Sequence, residues 1–142
     1  MREARLRSVA YWSLVVVAVF NALSAIGGGI GILTTNGLGM PAAFLAGGPF
    51  TTFFWPGLIL LVVVGGSQAL AATLVLRRRE SSLLWSAVAG FGMIIWIFIE
   101  TGLIRGFSWL QILYFATGIL QLVLVVILLG IVRWLPRTPL AR

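Results

Sequence analysis

Histidine, cysteine and lysine are missing from this 142-residue chain, and its acidic residues number three, all glutamate: Glu3, Glu80 and Glu100. Without cysteine there is no disulfide and no thiolate metal site. Without histidine there is no imidazole for a zinc site, a haem ligand or a Ser/His/Asp triad. Glu3 and Glu80 flank apolar segments, so no second carboxylate is expected beside Glu100 for paired acid/base work. The expectation is a protein that is not an enzyme and holds neither metal nor cofactor. Charge of either sign is scarce: 9% of residues are charged, against about 25% in ordinary soluble domains, and 61% are apolar. That composition excludes a soluble globular protein.

What is present is long apolar sequence. A helix needs about 20 mostly apolar residues to cross a hydrocarbon core of roughly 30 Å. Four segments qualify, at about 9–33, 57–76, 83–104 and 110–134. Unbroken runs such as 58–64 and 122–127 would place apolar side chains on both faces of a strand, so the spans read as helices and not as barrel strands. The fold class predicted is all-α, an antiparallel four-helix transmembrane bundle forming a single membrane domain over 1–142. The basic start followed by 9–22 also has the shape of a cleavable signal, with Ala22 and Ser24 as its small-residue site. The apolar run continues to Leu33, which suits an uncleaved anchor.

The links differ in character. Segments 77–82 and 106–109 are tight turns that force antiparallel neighbours, and Gly106 suits a helix end. Segment 34–56 is uncharged and carries Pro41, Pro49 and Pro56 among four glycines, so it cannot be one helix. Phe44, Leu45, Phe50, Phe53, Phe54 and Trp55 make it too apolar for a solvated linker. It reads as an interfacial or re-entrant cap on the outer side.

Orientation follows from arginine. Arg2, Arg5, Arg7, Arg77, Arg78, Arg79, Arg133, Arg137 and Arg142 fall on one side of the spans, and Arg105 alone falls on the other. The excess of positive charge marks the cytoplasmic side, which places both termini there. Trp12, Trp85 and Trp134 then lie near the inner interface and Trp55 and Trp109 near the outer one, leaving Trp96 as the deep exception. The arginines stand where topology requires them, without an aromatic-interleaved basic surface, so nucleic acid is not expected as a partner. Arg77, Arg78 and Arg79 are expected to meet anionic lipid headgroups.

Helices in lipid associate through small residues and hydrogen bonds. Asn21, Ser24, Ala25 and Gly28 form such a stripe on the first span, followed by the Gly27/Gly31 pair. The second span offers Gly65, Gln68, Ala69 and Ala72, the third Ser86, Gly90, Met93, Ile97, Glu100 and Thr101, the fourth Gln111, Tyr114, Gly118, Gln121 and Val125. The run 27–31 has no preceding strand and no following lysine, so helix packing explains its glycines better than a phosphate loop does. At 1.5 Å per residue, Asn21, Gln68 and Gln121 reach similar depth and could form one midplane polar layer, either holding the bundle in register or serving a ligand or water.

Glu100 is the one acidic residue inside a span, which makes it a candidate ligand-binding residue together with Arg105 and Gln111. The competing reading is an ion pair of Glu100 with Arg105 that pins the outer turn. Residues 45–57, with Trp96, Glu100, Trp109, Leu110 and Gln111, resemble a family of small four-helix bacterial membrane proteins of unassigned function. That resemblance implies the same topology and supplies no activity. Arginine without lysine, with abundant Ala, Gly, Val and Leu, points to a high-GC bacterial genome and hence to the inner membrane.

Two functions fit. The first is a non-enzymatic accessory or packing subunit that meets a membrane-protein partner or a second copy of itself through the aromatic loop. The alternative is a small transporter, channel subunit or hydrophobic-ligand binder with an outward-facing site around Glu100. A pocket lined by Glu100 and Gln111 under residues 50–55 would favour the second, and a closed dry core the first.

Overall fold

Four apolar helices with hydrogen-bonding side chains on one stripe each have a single economical arrangement, a ring in which every stripe faces inward. The computed structural model, which describes residues 2–103 and 107–130, has that arrangement. α1 (Arg2–Thr35) is followed by a 3-10 turn (Ala42–Leu45), α2 (Phe54–Ile59), a π-helical segment (Leu60–Gly65), α3 (Gly66–Leu76), α4 (Ser82–Leu103) and α5 (Trp109–Leu129). α2, the π segment and α3 run on as one rod, Phe54–Leu76. α1 packs against this rod and against α5, and α4 packs against α3 and α5, closing an antiparallel bundle. Each of the four rods is long and apolar enough to cross a membrane, and the chain is a multi-pass membrane protein by that measure. One end carries the N-terminus and the Arg77–Arg79 hairpin, called here the arginine end. The opposite end carries the segment between α1 and α2, called the loop end.

The boundaries differ from those read off hydropathy. α1 begins at Arg2 and not at 9, because Arg, Glu and Ala are good helix formers that extend the rod past its apolar stretch. The second span begins at Phe54, with Pro56 inside its first turn, where the missing N–H has no intrahelical acceptor to lose. α5 ends at Leu129, where Gly130 adopts φ 74° and its N–H bonds to the Ile127 carbonyl, a left-handed stop; the rest of the expected span, 131–134, lies outside the described residues. Arg133, Trp134, Arg137 and Arg142 lie outside the described residues, as do Arg105 and Gly106.

Close helix approach is set by three glycine contacts. A Cβ at Gly29 would stand 2.6 Å from the Leu61 Cβ, and one at Gly65 would stand 2.8 Å from the Ile26 Cγ1, so α1 and the second span meet nearly backbone to backbone. Gly90 and Gly118 do the same for α4 and α5, each Cβ position lying 3.2–3.3 Å from the other's carbonyl oxygen. The Gly27/Gly31 pair does not make the α1 contact. A Cβ at Gly27 meets nothing within 4 Å, and one at Gly31 has the Leu38 side chain as its nearest neighbour.

The π segment re-phases the second span. Over the eight residues from Leu60 to Gln68 a regular helix would leave the two about 80° apart around its axis. The wider π turn absorbs one residue, so both point into the bundle.

Candidate functional site

The bundle interior changes chemistry along its axis. At the arginine end, Leu14 and Val17 from α1, Val75 from α3 and Leu124 and Val125 from α5 form an apolar cluster, with Leu83 and Ala87 of α4 against it. This part is filled. Above it lies a layer of fully buried polar side chains, Asn21, Gln68, Ser86 and Gln121, one from each rod. The Gln121 Oε1 accepts from Asn21 Nδ2 at 3.4 Å and from Gln68 Nε2 at 3.0 Å, and Gln68 Nε2 also donates to the Ala89 carbonyl at 3.1 Å. The three amides read from the sequence as one layer thus meet, with Asn21 and Gln68 both bonded to Gln121. Ser86, one turn before Ala89, shares their burial. Among the described residues the Asn21 Oδ1, Gln68 Oε1, Ser86 Oγ and Gln121 Nε2 have no partner.

One turn further toward the loop end the interior opens into a cavity of about 430 Å³. Its floor is Ala25, Met93 and Tyr114, the last stacked on Phe20 with ring centres 6.2 Å apart. Ser24, Gly28 and Ile32 of α1 form one wall, Leu60 another, and Trp96, Ile97 and Glu100 of α4 face Leu110 and Gln111 of α5. Exposed Leu38, Phe107 and Ser108 rim its mouth.

Local structure explains how each polar group arrives. Ser108 precedes α5 as its N-cap residue, and Gln111 stands at the third helical position, the arrangement of a capping box. The Gln111 Oε1 accepts from the Ser108 N–H at 2.6 Å, which commits the amide oxygen and leaves the nitrogen as the donor end. The Glu100 carboxylate has the Gln111 amide and the indole of Trp96, one turn earlier on α4, as its polar neighbours. Trp96 is 6% exposed, so its deep indole N–H needs a polar neighbour, and Glu100 is the charged one at hand. Of the candidate trio, Glu100 and Gln111 meet in the cavity, and Arg105 lies outside the described residues.

The roof differs from expectation. Thr35 Oγ1 accepts from the Leu38 N–H at 2.8 Å, and a turn from Gly37 to Met40 follows, so the first half of the loop folds over the bundle and brings Leu38, Met40 and Phe44 to the cavity. Residues 50–55 do not line it. Phe53 is buried with Ile32 and Leu45 beside the bare backbone of Gly37, and Phe54 and Trp55 are exposed. Sequence reasoning missed Leu38, Met40 and Phe44 as lining residues, since nothing in an apolar loop distinguishes the half that turns inward. Among the described residues no group of His, Cys, Asp or Glu could hold a metal ion. Comparison of the chain with known protein families, with curated proteins and with solved structures finds no match, so function rests on the site itself.

Proposed function

We propose that this protein is a non-enzymatic binder of a small amphiphilic molecule, set in a bacterial inner membrane with both termini cytoplasmic and the cavity facing outward. The observation that carries the reading is the cavity: about 430 Å³, walled mainly by apolar side chains, with a carboxylate and an amide converging at one place. Small-molecule sites have this size and this composition, apolar walls for affinity and a few polar groups for orientation. The filled apolar cluster around Leu14 and Val75 favours a one-ended cup over a channel. The orientation rests on the arginine asymmetry. Arg77, Arg78 and Arg79 would then face anionic headgroups, each contributing on the order of 1 kcal/mol near the surface.

An accessory-subunit role is the second reading, favoured by the exposed Phe54, Trp55 and Trp109. Mass spectrometry of the intact protein released from native membrane separates the two. A retained small molecule, lost in a Ser24→Phe variant that fills the cavity, is expected. A bare chain, or one with a stoichiometric protein companion, would replace the binder with the accessory subunit.

A further inference from the structure

We infer that the ligand's polar end is a compact organic cation, held between the Glu100 carboxylate and aromatic faces; this rests on the binder reading above. Glu100 is the one charged side chain among the described residues lining the cavity. A carboxylate has about four lone-pair positions. Its polar neighbours among the described residues, Trp96 and Gln111, can take up two of them at most, which leaves acceptor capacity toward the cavity. The Gln111 amide beside it is held by its own bond from the Ser108 N–H.

The surrounding walls match the same charge. Phe44 from the loop, Trp96 from α4, Phe107 from the turn and Tyr114 from α5 line this one cavity. Aromatic faces carry negative potential and attract ammonium groups within about 6 Å of the ring centre, most strongly where water is excluded. Among the described residues no lining side chain supplies a counter-charge, so a neutral head would leave the carboxylate unmatched in an apolar surrounding, and an anionic head would be repelled by it. A cation satisfies both the carboxylate and the rings, and its apolar body takes the wall formed by Ile32, Leu60 and Met93.

The test uses the full chain in zwitterionic nanodiscs and three fluorescent probes that share one naphthyl body, ending in trimethylammonium, in its uncharged tert-butyl isostere or in sulfonate. Empty discs give the partition background. The trimethylammonium probe is expected to bind about tenfold more tightly than the isostere. Glu100→Gln should cut that ratio to about threefold, the share left to the rings. Phe107→Leu, at a rim position 74% exposed where folding is not at stake, should lower it about threefold. Equal or tighter binding of the isostere or the sulfonate overturns the cation inference and leaves the cavity a binding site. A cation preference that emerges only in Arg105→Gln also overturns it, because the guanidinium would then be the resident counter-ion. Binding of no probe above empty discs overturns this inference together with the binder reading.

Discussion

The Arg78 guanidinium lies 5.0 Å from the centre of the Tyr11 ring, and the Tyr11 hydroxyl donates to the Val75 carbonyl at 3.0 Å. That same carbonyl accepts from the Arg78 N–H, and the Arg79 N–H bonds to the Leu74 carbonyl, closing α3 in a Schellman motif. Arg78 sits at its left-handed position with φ 50°, where glycine is usual. One side chain of α1 thus braces a strained residue in the α3–α4 hairpin.

The brace predicts an ordering of variants. Arg78→Ala loses the ring contact and keeps the strain, while Arg78→Gly loses the contact and relieves the strain. Arg78→Gly should therefore be more stable than Arg78→Ala by about 1 kcal/mol, measured by unfolding in mixed micelles. The reverse order would mean that the left-handed turn is not kept in the membrane.

Glycines two residues apart on α1 should respond with opposite sign. Gly27→Ala enters open space and gains about 0.5–1 kcal/mol of helix propensity. Gly29→Ala drives a methyl into the Leu61 backbone and should cost about 1–3 kcal/mol through separation of the helices. The same sign for both substitutions would refute this crossing point.

In the polar layer the contrast lies between a shared acceptor and an idle hydroxyl. Gln121→Leu strands the amides of Asn21 and Gln68 that converge on its oxygen, at a cost of about 1–3 kcal/mol. Ser86→Ala removes an unpartnered hydroxyl and should be neutral or stabilising by up to about 1 kcal/mol. A Ser86→Ala variant as damaged as Gln121→Leu would show that the hydroxyl is engaged.

At the loop end, Gln111→Met keeps the length of the side chain and removes the bond from the Ser108 N–H and the amide beside Glu100. A loss of about 1–2 kcal/mol is expected, the usual worth of a helix N-cap bond. Unchanged thermal stability in detergent would separate Gln111 from both roles.

Orientation is open to a thiol label, since the chain has no cysteine of its own. Ala46→Cys, exposed in the loop, should react with a membrane-impermeant maleimide added outside intact cells. Reaction only from the cytosolic side would invert the proposed topology.

The site was partly legible beforehand for a simple reason. A buried amide or carboxylate in an apolar helix is conspicuous, and its depth follows from counting residues, so Asn21, Gln68, Gln121, Glu100 and Gln111 could all be singled out. The place of Trp96 beside Glu100 was open to the same logic, being one turn away on the same helix.

By itself the amino-acid sequence determined four apolar helices, their alternating direction and the polar stripe on each, because these depend on hydropathy, helical period and short links within one segment. Only the tertiary structure decided which glycine of the 27–31 run touches Leu61, that a π turn aligns Leu60 with Gln68, that the α1–α2 loop roofs a cavity with Leu38, Met40 and Phe44, and that Phe53 is buried while Phe54 and Trp55 are not. Those features depend on the rotation and crossing of one helix against another. Neighbouring positions of equal hydropathy differ there only by 100° of turn, and nothing in the identity of the residue records which way it faces.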